Sequence, residues 1–285
     1  MFRTSLLVFL SAAAPAVAAP PDVVADTALT ASIVSAVATE GSRTVGLSDA
    51  QDDPRAATLV PANAGALADA SLVVVAGAGL APWLDRAAER LDAEMLDLDA
   101  APGVRRYDGT EEGEDEVRPY LWLDPANVVV WIDAIAERLT ALDERNAGIY
   151  RDNATAAVAA VETAQEDMAA ELLSQPVRPI LAVTEVWAPL TGAFDIDIAG
   201  YVGTAAIPGH ATASDTTLED TISREAPACI LAAPQDDLDE ARRVADTARI
   251  EIVEVDPFGD GADGIEGYTG ILENLRGAMR TCFAP

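Results

Sequence analysis

Chemistry in this chain must come mainly from oxygen. The 285 residues hold 48 Asp and Glu, two Cys and a single His, His210. His210, Ser214 and Asp215 are neighbours in the stretch IPGHATASD. A nucleophile triad is a matter of geometry and roles rather than adjacency, so that grouping carries little. No GxSxG elbow, phosphate loop or GxGxxG after a strand is present. With 48 acids, any pair of carboxylates is uninformative about hydrolysis. The residues therefore point to binding rather than catalysis. His210 reads as a surface or cap-proximal residue, with a replacement ligand swung into a cleft as the alternative. Asp108 to Glu116, DGTEEGEDE, carries six acids and no apolar residue. It reads as a solvated loop, and its functional alternative is weak, salt-sensitive cation capture.

Charge and termini narrow the setting. The 18 basic residues, all Arg, leave a net charge of −30. Nucleic acid and anionic membranes are poor partners for such a surface, because both need a basic patch. A basic start at Arg3, an apolar run Leu6–Ala13 and small residues at Ala16-Val17-Ala18 read as a signal peptide cleaved near Ala18. The run is too short to span a bilayer. In an exported chain, Cys229 and Cys282 are expected to form a disulfide.

The elements that would position these groups alternate. Strands are expected at Asp22–Ala25, Thr44–Leu47, Leu72–Ala76 and Glu94–Leu98, with helices near Leu29–Ala38, Asn63–Asp69 and Pro82–Leu91. Asp124 is a good N-cap and Pro125 suits a first helical position. Val129, Ile132, Ala136 and Leu139 then share one helix face. A second helix from about Asn146 to Leu173 lacks Pro and would run about 40 Å. Beyond it, strands are expected at Ile180–Val183, Ile196–Ala199, Cys229–Ala232 and Glu251–Val255. Helices are expected at Val186–Gly192, Thr217–Glu225, Leu238–Ala248 and Tyr268–Arg280. The fold class is α/β, with two similar lobes carrying parallel sheets and joined by a long rigid helix. Residues 1–18 form the signal, 19–140 the N-terminal lobe, 141–175 the linking spine and 176–285 the C-terminal lobe.

Five short stretches, in order, resemble the zinc and manganese receptors of bacterial ABC importers, the cluster with a helical spine. DPRAATLVPANAGALADASLVV (53–74) resembles the family's SPHDY…P stretch followed by a helix and an ADLVV strand. YLWLDP (120–125) resembles HLWLDP. LAVTEVWAPL (181–190) resembles a strand and HDAYGYF turn. CILAAPQ (229–235) resembles CVFAEPQ, and VDPFG (255–259) resembles LDPLG. The zinc-type branch fits best, and Cys229 and Cys282 fall where that branch carries its disulfide. The resemblance implies a periplasmic receptor, a monomer, that delivers a divalent metal to an inner-membrane ABC permease. Its ligand would sit between the lobes at the carboxyl ends of the strands, and lobe motion would be small.

The implied ligand positions are altered. The first-lobe His falls on Arg55, the His before LWLDP on Tyr120, and the HD pair on Thr184 and Glu185. The last-strand carboxylate is kept as Asp256. The His-rich loop falls on Asp108 to Glu116. Zinc wants about four N, S or O donors near 2 Å. Arg55 offers no lone pair, and its charge opposes a cation by about 4 kcal/mol per unit charge at 4 Å and a dielectric near 20. No cofactor is fixed by these residues; zinc or another divalent metal is what the resemblance implies. Three occupants of the cleft remain open. Arg55 could pair internally with Asp256 or Glu185. Arg55 and Tyr120, with Thr184, could grip an anionic small ligand. A hard cation such as manganese could use Glu185, Asp256 and water.

Overall fold

The computed structural model describes residues 19–48, 60–77, 80–81, 83–84, 87, 94–107, 120–202 and 215–284. The expected signal segment, Arg55, most of the expected helix Pro82–Leu91, the acidic loop Asp108 to Glu116, and His210 lie outside them.

The first lobe is built on four short parallel strands. These are β1 (Val23–Ala25), β2 (Thr44–Gly46), β3 (Leu72–Val75) and β4 (Glu94–Asp97), in the order β2-β1-β3-β4. Helices α1 (Ala28–Val37) and α2 (Pro61–Asp69) make the crossovers between the first three strands. The side chain of Thr27 caps α1 by accepting the Thr30 amide at 3.0 Å. Pro61 opens α2, where its missing N–H costs nothing. Strand residues alternate between two buried faces. Val24, Val73 and Val75 pack outward with Leu67 and Leu84, while Val23, Leu72 and Val74 face the molecule's central core.

The second lobe repeats the plan. Strands β5 (Ile180–Ala182), β6 (Ile198–Tyr201), β7 (Cys229–Ala232) and β8 (Glu251–Glu254) lie parallel in the order β6-β5-β7-β8. Its helices are α5 (Pro189–Phe194), α6 (Asp215–Glu225), α7 (Asp239–Ala248) and α8 (Ile265–Cys282). Leu181, Val183, Ile230 and Ala232 face outward, and Ile180, Ala182, Cys229 and Leu231 join the central core. Cys229, at the start of β7, is disulfide-bonded to Cys282 at the end of α8. That bond ties the last helix to the middle of the sheet.

Between the lobes run α3 (Pro125–Leu142) and α4 (Ala147–Leu173). The 27 residues of α4 make a rod of about 40 Å. Tyr150, Ala154, Ala157, Val161, Met168 and Leu172 form its buried stripe. Asn153 donates to the carbonyls of Val37 and Ala38 at the end of α1. Eighteen residues along, Glu171 pairs with Arg280 of α8. The spine is therefore tied to a helix of each lobe.

Most expected elements appear within two residues of their predicted bounds, and four details differ. Helix α8 starts at Ile265, three residues before the expected Tyr268. The expected helix Val186–Gly192 is split into a 3₁₀ turn, Glu185–Trp187, and α5. Pro189 supplies no N–H to carry one helix through. Strand β6 starts at Ile198 rather than Ile196, because Asp195 adopts φ 55° to end α5 and Ile196 serves as a buried link. The buried face of α3 runs through Val128, Ile132, Ile135 and Leu139, leaving Val129 at its margin.

Candidate functional site

The residues of LWLDP form a joint. Asp124 is wholly buried and caps α3 by accepting the Ala126 amide at 3.0 Å. Arg105 closes a two-point ion pair on the same carboxylate, with both contacts at 2.9 Å. The Tyr107 hydroxyl donates to it as well. Burial, then the hydrogen bond and charge of Asp124, push the Tyr107 phenol well up, so it stays a donor. Asn127 completes the joint. Its amide nitrogen donates to the carbonyls of Arg105 and Leu121 at 3.0 Å each, and its oxygen accepts the Arg105 amide at 2.7 Å. Across the lobes, Gly192 of α5 lies so close to the Tyr107 ring that a Cβ there would meet Cε1 at 2.2 Å.

Tyr120, at the position where the resemblance implies an imidazole, is 2 % exposed. Its ring stacks on Trp122, with centroids 4.5 Å apart and planes 14° from parallel. Phe258, from the loop after β8, meets Tyr120 at 5.1 Å and Trp122 at 5.3 Å. The indole N–H of Trp122 donates to the Pro257 carbonyl at 2.7 Å, and the Tyr268 hydroxyl donates to the Trp122 carbonyl at 2.8 Å. The Tyr120 amide also reaches the Val186 carbonyl at 3.3 Å, which sets the residue beside the turn that carries Glu185. Trp131 and Trp187 are fully buried packing residues.

The remaining predicted residues stand at the carboxyl ends of the second sheet. Thr184 and Glu185 follow β5, and Asp256 follows β8, with β7 between the two strands. Thr184 is half-buried, yet its hydroxyl oxygen is enclosed without a hydrogen-bond partner. Asp256 closes its own turn by accepting the Phe258 amide at 2.9 Å. Burial raises its carboxyl above the usual range, and the amides of Phe258 and Gly259 partly oppose that rise. Glu185 faces Tyr201 at the end of β6. Burial first, then the charge of Glu185, push the Tyr201 phenol up to about 12. Among the described residues, no group of three or more His, Cys, Asp or Glu is placed to hold a metal ion.

Two groups escaped the sequence reading. Tyr201 gave a signal, since it ends a strand on the cleft side. Asp26 gave one too, as an acid directly after the apolar run of β1. Asp26 is 1 % exposed; its Oδ2 accepts the Ala76 amide at 2.8 Å, and its Oδ1 has no hydrogen-bond partner. Burial pushes its carboxyl up to about 6, against the opposing hydrogen bonds of Thr30 and Ala76.

Comparison with known proteins accords with this frame. The family described as "ZnuA: Zinc-uptake complex component A periplasmic" matches residues 23–282. The "High-affinity zinc uptake system protein ZnuA" of Paracoccus denitrificans is 29 % identical, over 99 % of both chains. The "Manganese-binding lipoprotein MntA" of Halalkalibacterium halodurans is 32 % identical, over 37 % of this chain and 34 % of its own. Among solved structures, a zinc-bound deletion mutant of ZnuA superposes with a TM-score of 0.76 at 19 % identity, covering 93 % of this chain and 99 % of the other. A manganese-bound periplasmic metal-binding protein from Candidatus Liberibacter asiaticus gives 0.72 at 17 % identity, covering 91 % and 99 %. The two structures share the fold, and the family match spans nearly the whole chain. The chain belongs to the ZnuA family, and so to the periplasmic solute-binding proteins of metal-type ABC importers, which are transport receptors rather than enzymes.

Proposed function

We propose that this receptor, exported with its signal cut near Ala18, acts as a monomer and serves an inner-membrane permease without gripping zinc through imidazoles. One observation carries the reading: the whole chain has a single His, and both Cys are joined to each other. At most one nitrogen donor therefore remains for a site that in zinc receptors draws on several. Glu185 and Asp256 supply oxygen, and oxygen donors suit harder cations such as manganese. Relatives named for zinc uptake and for manganese binding support a divalent cation as the inherited cargo. A second reading, an accessory receptor that carries no cation, is favoured by Tyr120, whose ring is committed to Trp122 and Phe258.

Calorimetric titration of the metal-free protein with zinc chloride, then manganese chloride, tests the proposal. No zinc equivalent tighter than about micromolar, roughly −8 kcal/mol, is expected. A nanomolar equivalent that survives replacement of the acidic loop by Gly and Ser would overturn it. A manganese equivalent lost in Asp256→Asn supports the first reading, and no heat with either salt supports the second.

A further inference from the structure

The loop after β8 is a strap between the lobes. Near its start, Pro257 accepts the Trp122 indole, and Phe258 packs on Tyr120 and Trp122. At its far end, the Ser35 hydroxyl of α1 donates to Asp263 at 2.6 Å, and the Gly264 amide donates to that same hydroxyl at 3.0 Å. The next turn continues the contact. A Cβ at Gly267 would meet Ser32 Oγ at 2.8 Å, so α8 and α1 touch almost backbone to side chain. One loop of the second lobe is thus fastened to the interlobe joint and to a helix of the first lobe.

A cargo ion bound by both lobes draws them together only to the extent that it binds the closed form better than the open one. Here the junction is made of protein groups, and its central rings are buried from water. Such contacts need no ion to form, since each joins one protein group to another.

We propose that the clasp of Tyr120, Trp122 and Phe258, with the strap that carries it, holds the lobes closed in place of cargo, so that the permease meets the same face of an empty and a loaded receptor. This rests on the reading of the chain as a receptor without a histidine-ligated site. It also assigns Tyr120 a role: its ring completes the clasp from the position of a lost ligand.

Hydrogen exchange on the mature full-length chain tests the clasp, with protein in EDTA, in zinc chloride and in manganese chloride. Protection of peptides covering 120–123 and 258–264, which leave out the proposed ligand Asp256, should be the same in all three. Phe258→Ala should speed exchange of the strap by about tenfold while β1 and β7 stay protected, since local opening exposes only the segment released. Should that variant lose global protection, Phe258→Leu, which keeps apolar volume and removes the ring, is read in the same way. Strap protection that rises when either salt is added to the wild type overturns the clasp. So does unchanged strap exchange in a folded Phe258 variant. Calorimetry on the same samples separates the two proposals: tight zinc binding with constant strap protection refutes the cargo chemistry and supports the clasp.

Discussion

Replacing Asp26 by Asn should remove a pH dependence from the stability of this protein. Asp26 follows β1 and just precedes the cap of α1, where a helix N-terminus favours an anion by about 0.3–1 kcal/mol. The Ala76 amide bonds its Oδ2, and that also favours the charge. Burial outweighs both, because Oδ1 is enclosed without a partner and the residue is 1 % exposed. The carboxyl therefore rises from 3.8 to about 6 in the fold. That shift is worth about 3 kcal/mol at ~1.4 kcal/mol per pH unit.

Because the folded value is the higher one, the native state holds a proton that the unfolded chain has released between pH 4 and 6. Stability from this group is complete below about pH 4 and is lost as pH rises through about 6. Urea unfolding at intervals from pH 4.5 to 7.5 would show it as a difference between wild type and Asp26→Asn. The wild type should lose about 2 kcal/mol more than the variant across that range. Using the difference removes the repulsion of a net charge of −30, which both proteins share to within one unit. Absolute stability is a poorer reading, since a buried amide N–H₂ in place of Oδ1 costs about 1–3 kcal/mol itself if it finds no acceptor. Parallel pH profiles, within about 0.5 kcal/mol, would refute the assignment of burial as the dominant force on Asp26.

Two further outcomes concern the frame. Breaking the Cys229–Cys282 bond by replacing both residues with Ser should lower stability by about 4 kcal/mol, from a loop with a sequence separation of 53; a urea midpoint unmoved by reduction would contradict that. Gly192→Ala should destabilise by about 1–2 kcal/mol despite the better helix propensity of Ala, because the new Cβ displaces the Tyr107 ring from Asp124. An unchanged or raised melting temperature would show that Tyr107 yields without cost.

The lobes, the spine and most element bounds were legible because continuous apolar runs and period-3.6 patterns report burial directly, as at Leu72–Val75 and along α4. Breaks controlled by one backbone group were less so. The split at Pro189 depends on a missing N–H, and the late start of β6 on a left-handed turn at Asp195. At the site, the sequence marks which ligand types are absent, since composition alone limits nitrogen and sulfur donors. It does not tell that Tyr120 points into an aromatic cluster, because Trp122 and Phe258 come from segments 136 residues apart. Nor does it distinguish Asp26 from 47 other acids; only its enclosure does that.

The persistence of LWLDP beside a missing imidazole has a physical cause in this chain. Of the five positions, Asp124 gathers a helix cap, a guanidinium and a phenol; Trp122 bridges to Pro257 and receives Tyr268; Pro125 starts α3. Each of these contacts joins protein groups to one another. Substituting any one of them would strand a buried polar group or unseat a helix, a loss of roughly 1–3 kcal/mol felt in every molecule, loaded or empty. The position before the motif is different. An imidazole there would offer a nitrogen ligand and a smaller ring, whereas the phenol ring packs on Trp122 and Phe258. If cargo does not depend on that imidazole, as proposed above, stability favours the ring. The motif thus couples two requirements that separate here: the joint, which the fold needs, and the ligand, which only zinc chemistry needs.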